Sequence, residues 1–359
     1  MMMPETHPAT GRVHLLNFPA DTLARARRRY DVRFDETPGI AVMHDVVSHP
    51  YYDCLYDLGG NRIEESRRVN IPKDLATPHV LERDEKSSAA TEPRTIDVPV
   101  DLDIVEAPVL FVGSIWPHYG HYIIDGMSRF WALDQAPSLP LLMQSRPPVR
   151  DHSQAYITQI HDRLDLGSRS VISPDRPTLF RTVHVVRPAF LHTFRAYKCH
   201  QTPHLKVASS ILSEPDNENF PKRLYLTRSL LKSHERSAAE ELHMEEKLRK
   251  NGFAVIAPER IPFPDQVRLF NNADWVVGTI GSALHTSLFT KHPAERRFFI
   301  LCWEKINPRY LMIDEIKDLD STYLNCMKIA SVDARERISE TLLDTDLALA
   351  ELDAAGAFR

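Results

Sequence analysis

From about residue 105 the chain alternates short apolar runs with stretches whose apolar residues return every three or four positions, a rhythm the first hundred residues lack. The run Val109 to Val112 has the β-branched and aromatic content of a buried strand. After it, Tyr122, Ile123, Met127, Phe130 and Trp131 recur at helical spacing. They predict a helix over 119–132 in which His121 and Asp125 lie one turn apart. A strand over 139–143, a helix over 154–164 and a strand over 183–186 continue an alternation suited to a parallel sheet.

The second half repeats the pattern more clearly. Strands are predicted over 223–227, 253–257, 275–277 and 298–302, with helices over 238–251 and 264–272 and a third starting near Ser282. Such a succession is Rossmann-like. The helix over 238–251 ends at Asn251-Gly252, a C-terminal cap, with Lys247, Arg249 and Lys250 in its last turn, where cations suit the dipole.

Residues 210–221, rich in Ser, Pro, Asp and Asn, read as the connection between two domains. The predicted organisation is an irregular N-terminal region with short strands (1–100), an α/β domain (101–212) and a Rossmann-like domain (213–330). The tail, 331–359, carries Leu342, Leu343, Leu347, Leu349 and Leu352 and is expected to be a helix packing back on the body.

Size and charge narrow the function. Single cores stop growing near roughly 250 to 300 residues, so 359 residues favour two domains. With 43% hydrophobic and 26% charged residues the chain can build a core, and its net charge of −5 offers no long-range attraction to nucleic acid or anionic lipid. The four cysteines lie far apart without a CxxC pair, as in a protein with reduced thiols. The N-terminus lacks a secretory pattern and no stretch reaches the roughly 18 to 20 apolar residues of a membrane span. A cytoplasmic protein is expected, recruited peripherally if it works at a membrane.

Three segments carry candidate chemistry. The small-residue turn at Gly278-Thr-Ile-Gly-Ser282, passing from strand to helix, lets backbone N–H groups approach a phosphate, or serves tight packing. His285, one turn further, is either a ligand donor or a core histidine. Arg228 and Lys232 follow the strand over 223–227 at the edge where open α/β sheets bind ligands, and Arg236 shares their loop. Glu259 and Gln266 follow the next strand, where they contact base or ribose, or cap a helix. In His118-Tyr-Gly-His121, with Asp125 four residues on, the alternatives are proton handling, a structural hydrogen bond, or metal ligation.

Taken together these segments resemble glycosyltransferase family 61, particularly bacterial members of capsular or other surface polysaccharide synthesis. The resemblance lies in Tyr119-Gly-His121-Tyr-Ile-Ile-Asp125, in Arg223-Leu-Tyr-Leu-Thr-Arg228, and in Gly252-Phe253, Pro258-Glu259, the Gln266 helix and the turn from Gly278 to Phe289, over roughly 105–305. It implies an α/β protein of GT-B type, with two Rossmann-like domains facing a central cleft. It further implies inverting transfer, without an essential metal or cofactor, from a nucleotide-sugar, expected to be UDP-linked, to a glycan or other hydroxyl acceptor. On that reading Asp125 or His121 is the base, with Asp125 preferred. Arg228 and Lys232 hold the diphosphate, Gly281, Ser282 and His285 line the donor pocket, and Glu259 contributes to it. Ile280 and Thr286 depart from residues common in the family, and this leaves open a catalytically inactive nucleotide-sugar or glycan-binding protein. A metal-dependent hydrolase built on His118 and His121 is the third reading.

Overall fold

Apolar runs without polar alternation need cover on both faces, and the chain supplies it by winding helices around a parallel sheet. The computed structural model describes residues 5–6, 12–68, 82, 86, 88, 90–144, 155–215, 219–231, 238–332 and 338–359. The chain divides into two compact units, Met1–Arg28 with Ala208–Arg359, and Arg29–Val207. In the first, the strands run Ala254–Ile256, Arg223–Leu226, Trp275–Thr279, Arg297–Cys302 and Asp320–Asn325, all parallel. The order doubles back between Arg223–Leu226 and Trp275–Thr279. A crevice opens beyond the carboxyl ends of strands at such a reversal, which is where open α/β sheets bind ligands.

The reading that gave all of residues 1–100 to the first half differs from this division. Val13–Leu16 pairs in parallel with Asp320–Asn325, and Glu5–Thr6 pairs antiparallel with it in turn. An apolar Val-His-Leu-Leu run finds no partner nearby in sequence, whereas the edge of Asp320–Asn325 offers unpaired backbone groups. The tail also differs from one long helix. Met327–Val332 and Ile338–Leu343 form an antiparallel hairpin, and only Thr345–Ala354 is helical. Asp344 starts that helix by accepting from the Leu347 amide at 3.0 Å, and Ala348 and Leu352 then join Tyr225, Met244 and Leu248 in the core.

The second unit carries a mixed sheet. Thr178–Val186, Val109–Ser114, Leu141–Gln144 and Val171–Ile172 are parallel, but Ile40–Ser48 pairs antiparallel with Thr178–Val186 along its whole length. The first hundred residues therefore hold a nine-residue strand rather than only short ones. Two predicted helices are tighter than expected. The α-helix Tyr119–Ile124 gives way to a 3₁₀ helix, Gly126–Gln135, and Ser282–Phe289 is 3₁₀ throughout. Both changes coincide with glycine, which weakens α-helix propagation. Among the described residues no helix is long and apolar enough to cross a membrane.

One buried acid gives a pH signature to the first unit. Asp314, on the helix Pro308–Lys317, is 3% exposed and accepts from the Tyr323 hydroxyl at 2.5 Å. Burial raises its pKa from 3.8 to about 8, against the hydrogen bonds from Tyr323 and Ser321. The folded protein thus keeps a proton that the unfolded chain releases between those values, and stability falls as pH rises through this window. The slope reaches up to about 1.4 kcal/mol per pH unit. Asp314→Asn is expected to gain in Tm over the unsubstituted protein as pH rises from 5 to 8; parallel curves for the two proteins would contradict this.

Candidate functional site

In the second unit, Val109–Ser114 delivers the chain to Trp116 and His118, and the helix Tyr119–Ile124 follows. Tyr122 and Asp125 donate their amides to the His118 and His121 carbonyls at 2.8 and 2.7 Å, which fixes the i, i+4 geometry. His121 Nδ1 lies 2.9 Å from Asp125 Oδ2. The imidazole is 37% exposed and the carboxylate 3%, so an accessible ring rests on a buried acid. With Nδ1 donating to the carboxylate, Nε2 is left as an acceptor. The His118 and Trp116 rings stand 5.2 and 6.0 Å from that of His121.

Asp125 also lines a small recess with Asp53, Arg68, Gly113, Trp116 and Arg129 among its walls. None of these five was singled out from the sequence. Arg129 is fully buried and donates to the carbonyls of Glu65, Ser66, Arg67 and Val186, tying the Glu64–Ser66 turn to the end of Thr178–Val186. Burial lowers its pKa to about 9, partly opposed by the charge of Glu92. Gly113 has φ +95°, a left-handed conformation that disfavours side chains, and a Cβ there would meet Arg129 Cδ at 3.2 Å. Sequence periodicity cannot reveal such a recess, because its walls come from four separate stretches of chain. Among the described residues no cluster of three or more His, Cys, Asp and Glu has the arrangement to hold a metal ion.

The first unit brings together a second set at the strand-order reversal. Arg228 stands two residues beyond Arg223–Leu226, and Gly281 two beyond Trp275–Thr279. Arg228 Nη1 donates to the Ile280 carbonyl at 3.2 Å. A Cβ on Gly281 would lie 2.6 Å from the same nitrogen, so glycine makes room for the guanidinium. Its φ of 176° is ordinary extended backbone. Ser282 begins the 3₁₀ helix and is partly exposed. His285 is 3% exposed, its ring 5.1 Å from that of Tyr310. Burial pushes the Tyr310 hydroxyl up to about 12, while the cations of Arg309 and Arg228 pull it down.

Glu241 and Glu245, one turn apart on the helix Ala238–Lys250, hold the loop that carries Arg228. Glu241 accepts from the Tyr225 hydroxyl at 2.8 Å and the Arg228 amide at 3.1 Å; Glu245 accepts from Thr227 and Ser229 hydroxyls, both at 2.6 Å. Burial raises the pKa of Glu241. For Glu245 burial acts in the same direction, but hydrogen bonds from Ser229, Thr227 and Arg249 outweigh it and lower the pKa. The i, i+4 acids on a helix that follows a Thr-Arg-Ser loop were the available sequence signal.

Glu259 is exposed on the 3₁₀ turn Pro258–Arg260 and makes no hydrogen bond or ion pair among the described residues. Gln266 pins that turn through the Pro258 and Ile261 carbonyls at 2.8 and 2.9 Å, a structural role. Lys232 and Arg236 lie outside the described residues. A comparison with curated proteins found no match. Residues 119–295, just under half of the chain, match the family model described as Glycosyltransferase 61, and the match, which spans both the His121–Asp125 pair and the Arg228–Gly281 contact, supports assignment to that family of sugar transferases.

Proposed function

We propose that the protein is an inverting glycosyltransferase that moves a sugar from a UDP-linked donor to a hydroxyl of a glycan acceptor, without a metal, in surface polysaccharide synthesis. The two units act as the acceptor and donor halves of a GT-B enzyme working in the cytoplasm, with peripheral membrane recruitment where its acceptor requires it. The observation that carries the reading is the Arg228 guanidinium seated against Ile280 and Gly281 at the strand-order reversal. A cation beside small-residue backbone at the carboxyl edge of a parallel sheet suits a diphosphate. Ser282 and His285 complete the donor pocket in this reading, with Lys232 and Glu259 in support.

In the reaction, Asp125 takes the proton of the acceptor hydroxyl and His121 orients its carboxylate. The acceptor oxygen bonds to the anomeric carbon from the face opposite the leaving group. The bond from that carbon to the diphosphate oxygen breaks, and the electron pair departs with a nucleoside diphosphate stabilised by Arg228.

A thermal-shift panel of nucleoside diphosphates and nucleotide-sugars tests the donor half. A ligand at about 100 times its Kd adds about 2.7 kcal/mol of stability. UDP and at least one UDP-sugar are expected to raise Tm, and a panel in which no nucleotide does so would contradict the reading. A protein that binds a UDP-sugar but neither transfers nor hydrolyses it would instead be the inactive binding protein.

A further inference from the structure

We infer that His204 is a positioning residue for Asp125: a buried imidazolium that clamps the turn presenting the carboxylate and supplies the positive charge that keeps it ionised. His204 lies on the helix Gln201–Ser213 and is fully buried. Its Nδ1 is 2.8 Å from the His200 carbonyl oxygen, one turn back along the chain, and its Nε2 is 3.0 Å from the Ile123 carbonyl oxygen. A carbonyl oxygen only accepts, so each ring nitrogen must bring a proton. A neutral imidazole has only one to give. Its other nitrogen would turn a lone pair toward an oxygen at hydrogen-bond distance, with no water to intervene, and a buried carbonyl would lose its donor. The imidazolium satisfies both.

The clamp matters because of where Ile123 sits. It stands in the last turn of the helix Tyr119–Ile124, two residues before Asp125, where carbonyls run out of intrahelical partners. The bond from His204 fixes this carbonyl, and with it the backbone from which Asp125 reaches His121. The charge matters as well, because a buried cation persists only beside a compensating anion. His200, whose ring centroid is 4.8 Å from that of His204, stays neutral: burial and the His204 charge push its pKa well below the usual value, opposed by Asp125, and neither of its ring nitrogens has a hydrogen bond among the described residues. Asp125, whose side chain is 3% exposed, is thus an acid within electrostatic reach of this histidine pair. Lys206, on the same helix as His204, pairs with the exposed Asp134 at 2.9 Å. Two imidazoles therefore act on Asp125: accessible His121 by direct contact, and buried His204 through its charge and through the Ile123 backbone.

That the ionised carboxylate is the base of sugar transfer rests on the transferase reading; the charge of His204 and its effect on Asp125 do not. Long-range proton–nitrogen NMR on the full-length protein, isotope-labelled at histidine and with His204 assigned through bonds to its own Cβ, reads the charge directly. Both ring nitrogens are expected to carry protons at about pH 8, where an ordinary histidine is neutral. One protonated and one bare nitrogen would overturn the inference. His204→Gln, which keeps an amide donor but no charge, supplies the second measurement. In it the Asp125 carboxyl carbon is expected to titrate about one pH unit or more higher than in the unsubstituted protein, as when a nearby opposite charge is withdrawn. An unmoved titration would also overturn the inference, since a merely structural histidine would leave it in place. The acidic limb of the kcat profile should move up with the carboxyl titration. If the titration moves but no donor is turned over by the unsubstituted protein, the transferase reading fails and the charged clamp stands.

Discussion

Asp125→Asn is expected to lower the rate of sugar transfer by about 10²- to 10⁴-fold, the range for loss of a positioned general base, with nucleotide affinity unchanged. The substitution is nearly isosteric, and the amide oxygen can still accept from His121 Nδ1 in the 2.9 Å contact, so the helix Tyr119–Ile124 should persist. What disappears is the ability to take a proton at the wall of the recess. His121→Ala should cost less, because it removes the group that orients the carboxylate and leaves the carboxylate itself. Turnover and Tm measured together decide the matter. Near-normal turnover in both variants removes the pair from the chemistry, and a larger loss in His121→Ala transfers the base role to the imidazole.

The second large effect should come from a single methyl group. Gly281→Ala places a Cβ 2.6 Å from Arg228 Nη1 in a backbone conformation that alanine adopts without strain. The atom it meets is the end of a flexible side chain, so the guanidinium swings off Ile280 and the fold survives. Nucleoside diphosphate affinity should then fall by about 10- to 100-fold, as in Arg228→Ala, since a hydrogen bond to a charged group contributes about 1.5–3 kcal/mol. The double variant should be no weaker than either single one, because both act through one guanidinium. Titration calorimetry with UDP checks this, and additive losses would show that Gly281 acts independently of Arg228.

How far the sequence foretold these sites depends on how local they are. The His121–Asp125 pair was legible because i, i+4 neighbours on a helix need no long-range information. Arg228 and the Gly278 turn were legible because each follows a strand whose apolar run is unmistakable, and parallel strands align their carboxyl ends. Illegible features were those made by distant chain segments. Nothing near Val13 announces that it will pair with Ser321, and nothing near Arg68 announces that Trp116 will lie beneath it. Likewise the tail leucines at 342 and 343 fit a helical count, yet a hairpin with Met327–Val332 claims them, and the N-cap at Asp344 delays the helix. Local propensity yields to the pairing with Met327 and Lys328, which buries Leu343 and leaves Leu342 exposed.

Transfer chemistry at Asp125, from a donor held by Arg228, is most directly tested by following the protein with a panel of α-linked UDP-sugars and saccharide acceptors by real-time proton NMR. One donor is expected to be consumed with release of UDP, the first-formed product to carry the inverted β configuration, and Asp125→Asn to bind the same donor without consuming it. Retention of the α configuration, or equal donor consumption by Asp125→Asn, would contradict it.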